Sequence, residues 1–371
     1  MSEKTCFIER KFNVSGAQAA WPAVRISGEL IGREIERLAD CAPAEDGRRA
    51  VSIVHPSSEA PGLGFSPGVD VTINVLKPGE STRALRHNAN QIEFCIRGSG
   101  LLNVDGSQMQ VGKWDVCTIP SMRAHMHHNN GKDLWVRLSY SNIPLLEKLG
   151  AYYREEVAPD AAMRQTAHRA PMSAAEQRYT RGSAPDFPIG ADGARIRGYE
   201  FLTDIEVVPN YPLHWPWHEV EQHVSRKISD GNRGIMLLYN PATERRNGTT
   251  HTFFATISSR PAGSPPRPPG RGHRHSSVAI NYHFEGAGHS VVDGQTIEWT
   301  AGDLLLSAPS WSEHSHYLHA EGSSTLTVQD HPLHIGMESL IWQERIDGPI
   351  LTLGSEDGQT GYVGPRLVGA A

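Results

Sequence analysis

Residues 273–299 read HRHSSVAINYHFEGAGHSVVDGQTIEW, and a second copy of the same pattern lies upstream. There Leu85-Arg-His87 stands for His273-Arg-His275, Gly98-Ser-Gly100 for Gly286-Ala-Gly288, Val104-Asp105-Gly106 for Val292-Asp293-Gly294, and Trp114-Asp115 for Gly302-Asp303. The members of each pair are 188 positions apart; after a one-residue insertion, His125 and His127 match His314 and His316 at 189. A constant offset over so many positions marks a duplication, which governs every later assignment of fold.

Each copy has the texture of β structure. Residues 101–104 and 289–292 are short, rich in β-forming side chains and end in Asp-Gly, the strongest short hairpin pattern. Glycines at 98, 100, 286 and 288 punctuate the preceding strands. The spacing predicts a mainly β fold, a duplicated double-sheet jelly roll with a few helices at the N-terminus and between the barrels. We expect an N-terminal arm over 1–44 with an amphipathic helix at 28–40, a first barrel over 45–144, a connection over 145–228, a second barrel over 229–345 and a tail over 346–371. Within the connection, 145–156 and 214–227 read as helices. The Pro/Gly-rich stretch 260–272 reads as a surface loop, since such a segment cannot be a central strand.

Histidine placement carries the chemistry. In a strand, residues i and i+2 share a face, so His273 and His275 aim two imidazoles into one barrel. His314, on a strand across the barrel, completes three facial ligands. Three neutral imidazoles leave open positions on a first-row divalent metal. The first copy has Leu85 in place of one donor and keeps only His87 and His125. Gln91, His127 and His128 are conceivable but weaker substitutes, so metal is expected in the second barrel and not the first. Alternation from His275 also brings Ser277, Ala279, Asn281 and His283 to the inward face. Ser277 and Asn281 are therefore candidate substrate contacts and His283 a candidate acid–base group. His316 shares the face of His314 and is the better candidate for proton relay. Trp299 and Trp311 are expected in the core.

The bulk composition narrows the class. The chain has 371 residues, 38% of them hydrophobic, enough for a core in each half. The formal charge is −6, without a basic stripe, which argues against nucleic acid as a partner. No apolar run approaches the ~20 residues of a membrane helix, and the charged residues Glu3, Lys4, Glu9, Arg10 and Lys11 leave no room for a secretory h-region. A cytoplasmic location is the expectation. The cysteines, Cys6, Cys41, Cys95 and Cys117, form no C-x-x-C pair and are read as free thiols.

The segments HRHSSVAINYHFEGAGHSVVDGQTIEW and APSWSEHSH (308–316) resemble the cupin core of gentisate 1,2-dioxygenases and their salicylate and hydroxynaphthoate relatives. LLYNPATERRNGTTHTFFATI (237–257) and LLEKLGAYYREE (145–156) extend the resemblance over residues 45 to 345. It implies an Fe(II)-dependent dioxygenase taking a small aromatic acid and O₂, cleaving the ring between the carboxyl-bearing carbon and its hydroxylated neighbour, in a homo-oligomer (dimer or tetramer). Members often have Arg where this chain has Asn281, and Arg233 is similar to a substrate-binding Arg of the family. Members usually carry the catalytic iron in the first barrel, whereas here the intact set is in the second. Another cupin metalloenzyme reaction (decarboxylation, isomerisation, lyase chemistry) and a non-catalytic binding bicupin stay open.

Overall fold

The structure, a computed structural model, describes residues 21–163, 186–189, 194–197, 211–224, 234–264, 270 and 272–353. Both repeats fold as β-barrels. In the first, one sheet runs His214–Trp215, Val116–Ile119, Gln91–Arg97, Trp135–Ser141, Asp70–Leu76, Arg49–Ile53. Facing it is the order Arg154–Glu156, Leu85–His87, His125–His128, Gly100–Val104, Ser107–Val111. The second barrel repeats the first sheet's order with Val24–Ile26, Leu304–Ala308, Ala279–Val292, His314–Gln329, Phe254–Arg260, Ile235–Leu237. Two of its strands are long enough to bend through both sheets, Ala279–Val292 with 14 residues and His314–Gln329 with 16. The Asp-Gly turns are as expected: Asp105-Gly106 has φ of 44° and 80°, and Asp293-Gly294 has 46° and 82°. Both positions of each turn are left-handed, the geometry that matches strand twist.

The edge strand of each main sheet comes from outside the barrel it completes. Val24–Ile26 pairs with Leu304–Ala308 of the second barrel, and His214–Trp215 pairs with Val116–Ile119 of the first. A helix follows each: Gly28–Asp40, capped by Ser27, and Trp217–Val224. One aspartate fastens each strand–helix corner. Asp303 accepts from Arg25 Nη1 and from Gly28 N–H, both at 2.7 Å. Asp115 accepts from His214 Nε2 at 2.8 Å and from Trp217 N–H at 2.7 Å. These aspartates are the repeat partners noted above, so the corners are repeat partners too, exchanged between the barrels.

The barrels share a core. Phe94 meets Tyr282 and Phe284 with ring centroids at 5.8 and 5.5 Å, and Trp114 and Trp217 also pack on Phe284. Aromatic pairs at these separations add to the burial itself. Two helix expectations are corrected. The helix read at 145–156 is Ile143–Lys148 only; Gly150, at φ 65°, ends it, and Arg154–Glu156 pairs as a strand with Leu85–His87. The helix read at 214–227 begins at Trp217, because His214–Trp215 is claimed by the first barrel's sheet. Trp299 is in the core as expected, whereas Trp311 is only half-buried beneath the Arg274 guanidinium. Cys41, Cys95 and Cys117 are free thiols, and Cys6 lies outside the described residues.

Candidate metal centre

Sheet register brings the three histidines together. His273 forms a bridge with His314, each N–H donating to the other's carbonyl. The approach is so close that a Cβ at Gly272 would lie 2.2 Å from the His314 carbonyl oxygen, so only glycine fits there. His275 follows on the short strand Arg274–His275, held by Ile341–Gln343. One ring nitrogen from each of His273, His275 and His314 lies within 4.8 Å of the others.

Neighbouring groups fix the tautomers. His275 Nδ1 lies 2.8 Å from the Ser277 carbonyl, and His314 Nδ1 lies 3.0 Å from the Ser312 carbonyl. A carbonyl only accepts, so each Nδ1 carries the proton and each Nε2 presents its lone pair to the cluster. Burial, reinforced by His314, His273 and His331, holds His275 well below the usual imidazole range, so it is neutral, the ligating form. Three imidazole donors, two of them with rings held in place, fit a first-row divalent metal with open positions.

The inward neighbours form two further layers. Ser277 Oγ sits behind His275, 3.0 Å from its Nδ1, and contacts Gln329 Oε1 and His331 Nδ1 at 3.4 and 3.3 Å. Burial pushes His331 down to about 3, so it is a neutral brace. Its position 331 had no periodic partner in the sequence, and Gln329 and His331 were missed. On the other side, Trp299 Nε1 donates to Ser290 Oγ at 3.0 Å, and Ser290 Oγ is 2.8 Å from His316 Nδ1. His283 stacks on Trp299 at 3.7 Å between centroids and bonds Thr325 Oγ1 at 3.0 Å. Burial, then His316, keeps His283 well below its ordinary value. Asn281 donates to Ser307 Oγ at 3.0 Å, while its buried Oδ1 has no protein partner. Arg233 lies outside the described residues. Arg274 turns away from the ligands, donating to Gln343 Oε1 at 2.7 Å and stacking on Trp311.

The first barrel has a different interior. His87 and His125 are 5.2 Å apart, with Leu85 paired to His125 where the third imidazole would be. His127 and His128 do not join them: His127 bonds Glu93 at 3.0 Å and His128 bonds Ser81. Gln91 donates to Glu93 as well. Buried Glu93 also accepts from Arg137 Nη1 at 2.9 and 3.0 Å and from Ser139. Burial alone would raise the Glu93 carboxyl, but the Arg137 guanidinium and then His127 hold it well below the usual range. Asp70, raised to about 6 by burial, lines the same cavity of about 330 Å³.

Comparisons with known proteins agree with this architecture. Residues 73–138 match the model of the cupin domain. A 1-hydroxy-2-naphthoate 1,2-dioxygenase from Nocardioides sp. (strain KP7) is 27% identical over 73% of this chain and 64% of its own length. A gentisate 1,2-dioxygenase from Streptomyces sp. is 27% identical over 79% of this chain and 75% of its own. The crystal structure of a salicylate 1,2-dioxygenase from Pseudaminobacter salicylatoxidans superposes with a TM-score of 0.68 at 16% identity, covering 90% of both chains. Two cupin barrels on one chain, one with a three-histidine centre, define a bicupin. Over most of its length the chain is similar to 1-hydroxy-2-naphthoate and gentisate 1,2-dioxygenases, and its fold is that of the salicylate 1,2-dioxygenase.

Proposed function

We propose that this chain is an Fe(II)-dependent ring-cleaving dioxygenase that acts on a hydroxylated aromatic acid of the salicylate or gentisate type, in the second barrel. The observation that carries the reading is the convergence of three buried or half-buried imidazoles, two of them with fixed tautomers. His273, His275 and His314 would hold the ion, which supplies open positions where an aromatic acid and O₂ can meet.

All three ligands are neutral, so the ion's +2 charge would face a low-dielectric interior. A chelating carboxylate and phenolate bring the balancing charge, and an unbalanced one would be costly. Ala279, buried and without charge, adds no competing carboxylate. His316 is the candidate for moving a proton at the substrate phenol. The Ser290 hydroxyl, which accepts from Trp299 Nε1–H, also bonds His316 Nδ1 and holds that ring in place. His283, neutral and stacked on Trp299, supports that layer and offers a second acid–base group. Asn281, tied to Ser307, presents an acceptor, Oδ1, suited to a ring hydroxyl or amino substituent. Ser277 acts through His275, whose ring it braces. Arg233 is the proposed carboxylate clamp, by resemblance.

The test is turnover under labelled O₂ with a panel of gentisate, salicylate and substituted analogues. Both labelled atoms are expected in the ring-opened product. Oxygen-independent turnover would move the reading to decarboxylation or isomerisation. Arg233→Ala should raise KM about tenfold with iron content intact, since charge-assisted donors contribute roughly 1.5–3 kcal/mol each. Unchanged kinetics would place the anion elsewhere. A cytoplasmic homo-oligomer remains part of this reading; among the described residues, no helix is long and apolar enough to cross a membrane.

A further inference from the structure

The alternation that points His314, His316, Ser290 and Trp299 into the second barrel points their strand neighbours out. His289 on Ala279–Val292, Glu298 on Gln295–Thr300 and His319 on His314–Gln329 lie side by side on three adjacent strands. His289 is the direct register partner of Glu298 on one side and of Tyr317 on the other. One ligand atom from each of His289, Glu298 and His319 lies within 4.8 Å of the others. His319 Nε2 stands 3.5 Å from Glu298 Oε2, and the two imidazole centroids are 5.7 Å apart.

We propose that His289, Glu298 and His319 form a second metal site, on the outer face of the second barrel, for a divalent ion of the zinc type. The site shares no ligand with the centre inside the barrel. Two imidazoles and one carboxylate suit Zn²⁺, Ni²⁺ or Cu²⁺, whereas Mg²⁺ and Ca²⁺ require oxygen donors. Fe²⁺ binds such sites more weakly than Zn²⁺, so iron loading fills the inner centre alone. The backbone positions are fixed by the sheet. Glu298 and His319 are exposed, so their side chains can close the last distance to bonds of about 2.0–2.1 Å by rotation.

The duplication supplies an internal control. At the same three positions the first barrel carries Leu101, Gln110 and Asn130. Gln110 and Asn130 bond each other through their amides at 2.8 and 3.2 Å. That pair joins the strand Ser107–Val111 to the segment after His125–His128 with no charge and no metal donor of comparable strength, so the His/Glu set is not a requirement of the fold. The outer site also has a route inward. Tyr317 stacks on His289 at 5.0 Å and donates its hydroxyl to the Gly270 carbonyl at 2.8 Å, three residues before His273. An ion on His289 would stiffen the approach to an inner ligand.

The experiment is equilibrium dialysis against Zn²⁺ alone, with metal per chain counted by elemental analysis. Glu298→Gln with His319→Asn copies the first barrel's pair and so preserves the strand contact. This double variant should hold one Zn²⁺ fewer than its parent, both in wild type and in a His275→Ala background that has lost the inner ion. Equal stoichiometry in either background overturns the proposal. In wild type, Zn²⁺ should shift the ring resonances of His289 and His319, and unmoved resonances overturn it as well.

Discussion

The two barrels share strand order, hairpins and capping aspartates, yet only the first encloses a permanently charged pair. The first encloses Glu93, Arg137 and His127, an ion pair with a hydrogen-bonding histidine. At the matching positions the second has Asn281, Thr325 and His316, none permanently charged. Leu85 against His273 removes a metal donor from the first barrel, and Arg137 would repel any cation that entered. The difference shows that losing a metal site is more than losing one ligand. The first interior balances its own charge, while the second leaves a bound ion's charge to be balanced by what it binds.

The largest expected contrast is in metal content. His275→Ala should abolish iron binding measured by elemental analysis, and His87→Ala should leave about one iron per chain. Two irons in wild type would erase the contrast. Leu85→His tests the other side. It restores the third donor opposite His125, the register that His273 and His314 share. If the missing donor alone silences the first barrel, metal content rises to two per chain; if Arg137 dominates, it stays at one until Arg137 is also replaced.

Next in size is stability. Glu93→Ala leaves Arg137 buried without its partner and should cost about 3–5 kcal/mol in denaturant unfolding. Asn281→Ala, at the matching position, removes a neutral hydrogen bond and should cost about 1–3 kcal/mol. Equal costs would mean that the Glu93 pair has no special weight.

The smallest contrast is in pH dependence. Asp70 matches Phe254 by register, each opposite the last residue of its neighbouring strand. Burial raises Asp70 from an ordinary 3.8 to about 6, so the folded state holds its proton more tightly than the unfolded state does. Its contribution is fully present below pH 3.8 and is lost as pH rises through about 6, by at most about 3 kcal/mol. Asp70→Asn should therefore unfold with a stability that falls less over this interval. A parallel pH profile for the two proteins would show that Asp70 titrates normally.

Much of this was legible in the sequence, for identifiable reasons. The duplication fixed the Asp-Gly turns and the convergence of His273, His275 and His314, because period-two alternation and a matched third strand leave little freedom. The helix Gly28–Asp40 was readable from its amphipathic spacing. The exchanged strands were not, since Val24–Ile26 and His214–Trp215 are too short to show a period. The Glu93–Arg137 pair spans 44 residues, and nothing local in either strand announces the other. The helix assigned to 145–156 overran Gly150 because its charge spacing continued after the backbone had turned.

The exchanged corners bear on ancestry and on dissection of the chain. Neither barrel's main sheet is complete without a strand from outside it, so a cut between the halves would bare a sheet edge on each fragment. An ancestor with a single barrel and the same arm could cover that edge by trading arms with a second copy of itself. Fusion of two such chains would turn an exchange between molecules into the internal one seen here, and would free one of two identical pockets to drift. Leu85 and Glu93 are what such drift would leave behind.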